Sequence, residues 1–328
     1  MLQCLKNQRF SLLLICVICV AFIMPLPLVA DLDQFATWFT SAGVVLVFFL
    51  LGLSISGSQL NHGYKPVSLH LFVGLWNFVG FPAISFFLLW LFGDHLATEF
   101  HVGFLILAVI PTTIASAVAF TDLSGGDVPV AIFSTILSNV LAVFAVPMLA
   151  TLILSLATEV SINWMTLFLK ITLLILVPLI LGQFVQRTSP RFKAFIEPKR
   201  KVASSAVILM IVYFAFADRL QGGEWGAVSG IGVLGLCLAV LVLLLLVSLM
   251  VWFTLKLLPV ARSQKIAAFY CASQKSLATG LPLAVIILAN GDFGNEALVL
   301  LPLIVFHPVQ LLLSGVLVEP FKRHDQMA

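Results

Sequence analysis

Charge is what this chain has least of. Only 9% of its 328 residues are Asp, Glu, Lys or Arg, against 61% hydrophobic, and no acidic residue stands in the middle of a long apolar run. A water-soluble domain of this length needs a polar surface that such a composition cannot supply. Cysteine is sparse as well. Cys4, Cys16, Cys19, Cys237 and Cys271 lie in apolar runs or near the N-terminus, so no disulfide framework is implied. Walker, zinc-protease and nucleophile-elbow patterns are missing. Gly230-Ile231-Gly232-Val233-Leu234-Gly235 spells a dinucleotide fingerprint, but it follows no strand and lies in an apolar helix. Cys16-Val17-Ile18-Cys19 has redox spacing inside a segment buried in lipid. The chain therefore reads as no enzyme, with no resident cofactor. Its net charge of +3 belongs to loops that orient helices and touch membrane lipid, which leaves no case for a nucleic-acid partner.

What fills the chain is apolar helix. Ten stretches, near 10–29, 35–55, 68–92, 101–121, 128–154, 166–186, 202–218, 227–256, 266–289 and 297–318, are each long enough to cross about 30 Å of hydrocarbon. The first is read as a retained span, since its apolar run is long for a cleaved leader. Of seventeen Lys and Arg residues, fourteen fall on one side: Lys6, Arg9, Lys65, Arg187, Arg191, Lys193, Lys199, Arg200, Lys201, Lys256, Arg262, Lys265, Lys322 and Arg323. The other side carries Arg219 among Asp31, Asp33, Asp94, Glu99, Glu159, Asp218, Glu224, Asp292 and Glu296. The positive-inside rule then puts both termini in the cytoplasm of a multi-pass protein of the cytoplasmic (inner) membrane. The fold class is all-α and polytopic.

The spans divide into two blocks of five, residues 1–156 and 157–328. An odd number per block inserts the second upside down, as in inverted-repeat transporters. The fourth span (Ile110-Pro111-Thr112-Thr113-Ile114-Ala115-Ser116) and the ninth (Cys271 to Pro282) are the most interrupted and stand at equivalent places. Proline and small hydroxyl residues predict that both unwind near the midplane, the usual place for a transport site.

Lys275 lies in the ninth span, near that midplane. It is either a structural cation resting on the negative end of a half-helix or a functional one that binds an anionic solute or carries a proton. Lys170, near the outer end of its span, is expected to snorkel. Ser273, Gln274, Ser276 and Thr279 surround Lys275 in sequence, and Thr112, Thr113 and Ser116 mark the other break. Ser134, Thr135, Ser138 and Asn139 cluster on the fifth span, with Asn77 on the third and His307 and Gln310 on the tenth. Together they could line one polar pocket, or the hydroxyls could bond their own helices and the amides pair between helices.

At these residues the chain resembles the bile acid:sodium symporter superfamily (solute carrier family 10), in the bacterial branch grouped with its member 7. The resemblance rests on Phe48–Ser54, His70–Pro82, Pro111–Asp127 with its Gly125-Gly126-Asp127, Ser273–Pro282, and Phe306-His307-Pro308-Val309-Gln310. It implies ten helices in two inverted repeats, with a panel of spans 1, 2, 6 and 7 and a core of spans 3–5 and 8–10, and with spans 4 and 9 crossing where they unwind. It also implies a Na+ site at Asn77 and Ser116, with Thr135 nearby. The ninth span departs from the sodium-coupled pattern: Cys271 or its neighbours stand where those members begin the break with a glutamate, and Lys275 occupies the ligand-bearing stretch. The expected function is secondary transport of a small organic, anionic solute by alternating access, with Na+ or H+ coupling and Lys275 replacing or supplementing the coupling cation. The alternative is a membrane regulator that does not transport.

Overall fold

The computed structural model describes residues 9–23, 30–54, 63–157, 163–219 and 230–323. Residues 24–29, 55 and 227–229, at the ends of three expected spans, lie outside these, as do Cys4, Lys6, Glu159 and Glu224 and the side chains of Arg9, Asp31, Asp33, Asp94, Asp218, Arg219 and Arg323. Thirteen α-helices and no strand occur among the described residues. They are α1 (Arg9–Ile23), α2 (Ala30–Ser54), α3 (Val67–Leu75), α4 (Phe81–Phe92), α5 (Thr98–Val109), α6 (Ile114–Leu123), α7 (Val128–Ala157), α8 (Trp164–Thr188), α9 (Pro190–Arg219), α10 (Gly230–Lys256), α11 (Arg262–Ser273), α12 (Leu277–Leu288) and α13 (Glu296–Arg323). Among the described residues seven helical segments, or eight if one bent pair counts as a single span, are long and apolar enough to cross a membrane. The protein is thus a multi-pass helical membrane protein.

Three of the sequence-predicted spans are interrupted, each for a different local reason. A π-turn, Trp76–Gly80, joins α3 to α4. There the Phe81 N–H reaches back to the Trp76 carbonyl, five residues away, and the next donor in that register would be residue 82. Residue 82 is proline and has no N–H, so the Asn77 carbonyl is left without a helical partner.

The second interruption separates α5 from α6, which meet at 65°. Ile110 is extended (φ −68°, ψ 151°), the conformation that a following proline imposes. The third separates α11 from α12 at Gln274-Lys275-Ser276. The break does not fall at Pro282, which lies inside α12, so proline is not what opens this helix.

Helix α9 packs on α1 and α2, and α8 on α2, while α11 lies against α3, α6, α7 and α10, and α12 against α2, α5, α8, α9 and α13. The α2–α8 crossing depends on two glycines. A Cβ on Gly52 would stand 2.3 Å from the Leu179 carbonyl oxygen, and one on Gly182 would stand 2.2 Å from that of Phe49. Close backbone approach through small residues is how helices associate where lipid removes the hydrophobic drive. Gly182→Val is therefore expected to destabilise the protein by about 1–3 kcal/mol, the usual range for overpacking. A lowered melting midpoint in detergent is the measurement that checks it.

Candidate transport site

The two broken helices meet each other through their breaks. The Ser276 N–H donates to the Pro111 carbonyl at 2.9 Å. Ser116 Oγ donates to Gln274 Oε1 at 2.7 Å. Gly280, in the first turn of α12, has no room for a Cβ, which would stand 2.6 Å from Ile110 Cδ1. The expected pairing of the two interruptions is present in the structure.

Lys275 is 1% exposed. Its Nζ donates three hydrogen bonds, each of 2.9 Å, to the carbonyls of Asn77, Ala108 and Ile110. Each acceptor has lost its helical donor: Asn77 to the π-turn and Pro82, and Ala108 and Ile110 to the end of α5. The ammonium offers three N–H groups in a tripod and no acceptor, which matches this set of orphaned oxygens. The end of α5 also contributes the negative pole of its dipole. Phe81 lies beneath, its ring centroid 4.3 Å from Nζ, adding a cation–π contact. The ammonium rests on the end of a half-helix.

Gln310, from α13, holds the other break. Its Oε1 accepts from the Lys275 N–H and its Nε2 donates to the Lys275 carbonyl, both at 2.8 Å. A side-chain amide thus replaces the helical partners that residue 275 lacks. The same Nε2 lies 3.0 Å from His307 Nδ1. Asn139 plays the matching part on the fourth-span break, donating to the Thr112 carbonyl at 3.1 Å and to Thr135 at 2.8 Å.

The hydroxyls divide. Ser273 bonds the Phe269 carbonyl and Thr135 that of Ile132, each on its own helix. Ser276 caps α12 by accepting from the Thr279 N–H at 3.3 Å. Thr113 stands at the cap of α6 without a side-chain capping bond. Asn77 Nδ2 donates to the Cys271 carbonyl at 3.1 Å. Its Oδ1, with Thr112 Oγ1 and Ser138 Oγ, is buried without a hydrogen-bond partner. Among the described residues no group of three or more His, Cys, Asp or Glu could hold a metal ion.

Residues not foreseen from sequence extend the network. Gln274 Nε2 donates to Ser314 Oγ at 2.8 Å, and Tyr270 OH lies 2.8 Å from Ser124 Oγ. Ser314 is one turn beyond Gln310 on α13, and that i,i+4 spacing was the available signal. Lys170 is exposed on the surface of the helix bundle, and its Nζ donates to Asn290 Oδ1 at 2.6 Å, which ties α8 to the turn after α12.

Beside the crossing lies an apolar recess between α2, α7, α8 and α12. Phe48, Leu179, Val143 and Leu283 line it, with Pro111, Asn139 and Thr279 at its edge. About 20 Å³ of it is free, room for roughly one water molecule. The recess is closed in this conformation.

Paired helix breaks beside a recess, within a multi-pass bundle, define a transporter-class protein. Residues 8–323 match the SBF-like CPA transporter family, and the chain belongs to it. It is 33% identical over 322 residues to an uncharacterized protein of Pseudomonas aeruginosa, covering 98% of this chain and 95% of that one. It is 28% identical to sodium/bile acid cotransporter 7 of Rattus norvegicus, covering 85% and 82%, and 30% identical to sodium/bile acid cotransporter 7-B of Xenopus laevis, covering 86% and 82%. The resemblance to the bile acid:sodium symporter superfamily and its member 7 branch is borne out.

Proposed function

We propose that the chain is a secondary transporter of a small organic anion that works without a coupling sodium ion, because Lys275 permanently supplies the positive charge at the crossing. The observation that carries this is the ammonium tripod on three carbonyls freed by helix breaks. A sodium ion beside Asn77 would be a second cation next to that ammonium, and two unit charges about 5 Å apart repel by about 3 kcal/mol at an effective dielectric constant of ~20. Asn77, Ser116 and Thr135 are neutral oxygen ligands, and no acidic residue stands mid-span beside them to offset a second positive charge. The sodium ligands carried over by resemblance therefore fit poorly around a second cation.

The same reading takes ten spans as two inverted repeats, residues 1–156 and 157–328, with both termini in the cytoplasm of the inner membrane. Packing of α9 on α1 and α2 and of α8 on α2 supports a panel, and the interlocked α3–α7 and α10–α13 support a core. Rocking one against the other opens the recess. The Lys170–Asn290 hydrogen bond bridges the two on one face and must break when that face opens.

The test is flux into proteoliposomes of taurocholate and of smaller carboxylates and sulfonates, with sodium or choline outside. Uptake of at least one anion, unchanged by the sodium gradient and stopped when Lys170→Cys/Asn290→Cys is joined by a short bifunctional thiol crosslinker, is expected. A folded protein that moves none of them, or moves them only with sodium, would sink the proposal.

A further inference from the structure

Helix α9 has 30 residues, about 45 Å at helical rise, and the hydrocarbon layer is about 30 Å thick. Its first turns therefore stand in the headgroup layer. On a helical wheel Phe192, Phe195, Ile196 and Val202 fall on one stripe, and that stripe continues to Met210 within the span. Phe195 is 62% exposed and Val202 71%. An exposed apolar stripe that runs directly into the lipid-facing flank of its own helix is continuous with the lipid interface.

Cations surround and interrupt the stripe, with Lys199 on it, Arg191, Lys193 and Arg200 beside it and Lys201 opposite. Arg191, Lys199 and Lys201 are exposed, Lys193 and Arg200 are half-buried, and Arg187 adds a sixth from the end of α8. The acid in this stretch, Glu197, is paired with Arg200 at 3.1 Å. Lys199 Nζ sits 4.2 Å over the Phe195 ring, its stem along the apolar face and its charge at the edge. An exposed apolar face interspersed with Lys and Arg, beside a membrane span, is a pattern that binds an acidic bilayer surface.

We propose that residues 190–202 form an interfacial anchor for anionic phospholipid. Arg191, Lys193, Lys199 and Lys201 take the phosphate groups, and Phe192 and Phe195 enter the upper acyl region. Because α9 packs on α1 and α2, the anchor fixes that group of helices to one leaflet. The anchor stands whether or not the chain transports.

The full-length protein in detergent is mixed with equal amounts of phosphatidylglycerol and phosphatidylcholine of identical chains, and retained lipids are counted by native mass spectrometry. The parent is expected to keep phosphatidylglycerol at least fivefold over phosphatidylcholine. Lys193→Gln/Lys199→Gln/Lys201→Gln should bring it close to unity, a loss of at least fivefold. Glu197→Gln, a surface change that does not threaten folding, should raise it. Equal retention by the parent, or an unchanged ratio in both variants, would overturn the anchor and leave the patch to a soluble acidic partner.

Discussion

Lys275→Ala is expected to make the stability of this protein depend on sodium. The substitution removes three donors from the Asn77, Ala108 and Ile110 carbonyls in one step. Each buried acceptor left unpaired costs about 1–3 kcal/mol, so the loss is about 3–6 kcal/mol when partial relaxation is allowed for. What remains is a channel the length of three methylenes and an ammonium, ending among three carbonyl oxygens and the face of Phe81. A small monovalent cation can enter it, and by mass action restores RT ln(1 + [Na+]/Kd), about 2.7 kcal/mol at a hundredfold excess over Kd. Thermal melting in sodium chloride against choline chloride at equal ionic strength reads this directly. The parent should melt alike in both, and the variant should melt lower in choline and recover in sodium. A variant as stable as the parent, or one that both salts rescue equally, would remove the ammonium from the role of resident cation.

The interruptions of the fourth and ninth spans were legible in sequence, but their causes were only half so, and the π-turn in the third span was not foreseen. Ile110-Pro111 ends α5 for the reason a proline predicts. Pro82 acts less directly, by leaving the Asn77 carbonyl without a donor in a π-turn that no sequence period announces. The break at Gln274-Lys275-Ser276 has no proline or glycine in it, because it is held open by a side chain thirty-five residues away. Long-range partners of that kind leave no local mark. For the same reason Gln310, Asn139 and Asn77 could be identified as costly in lipid without showing that all three satisfy exposed backbone. The hydroxyls were the opposite case. Ser273, Thr135 and Ser276 mostly serve their own helices, the commoner fate of such residues in membrane spans.

Gln310→Leu separates a solute ligand from a backbone clamp. The two side chains are similar in size, so the change removes hydrogen bonds without opening a large cavity. If Gln310 only contacted solute, its loss would weaken apparent affinity and leave melting unchanged. The structure instead has it satisfying both the N–H and the carbonyl of Lys275, so its removal strands two buried backbone groups at the crossing. The expected result is a loss of about 3 kcal/mol, seen as a lower melting midpoint, together with a fall in maximal flux of at least tenfold at little change in half-saturation. Asn139→Leu, which strips the Thr112 carbonyl on the partner break, should behave the same way. The double variant should lose less than the sum, because two clamps on one crossing are coupled. Additive losses would mean that the breaks are independent, and a changed affinity with unchanged melting would return Gln310 to the solute.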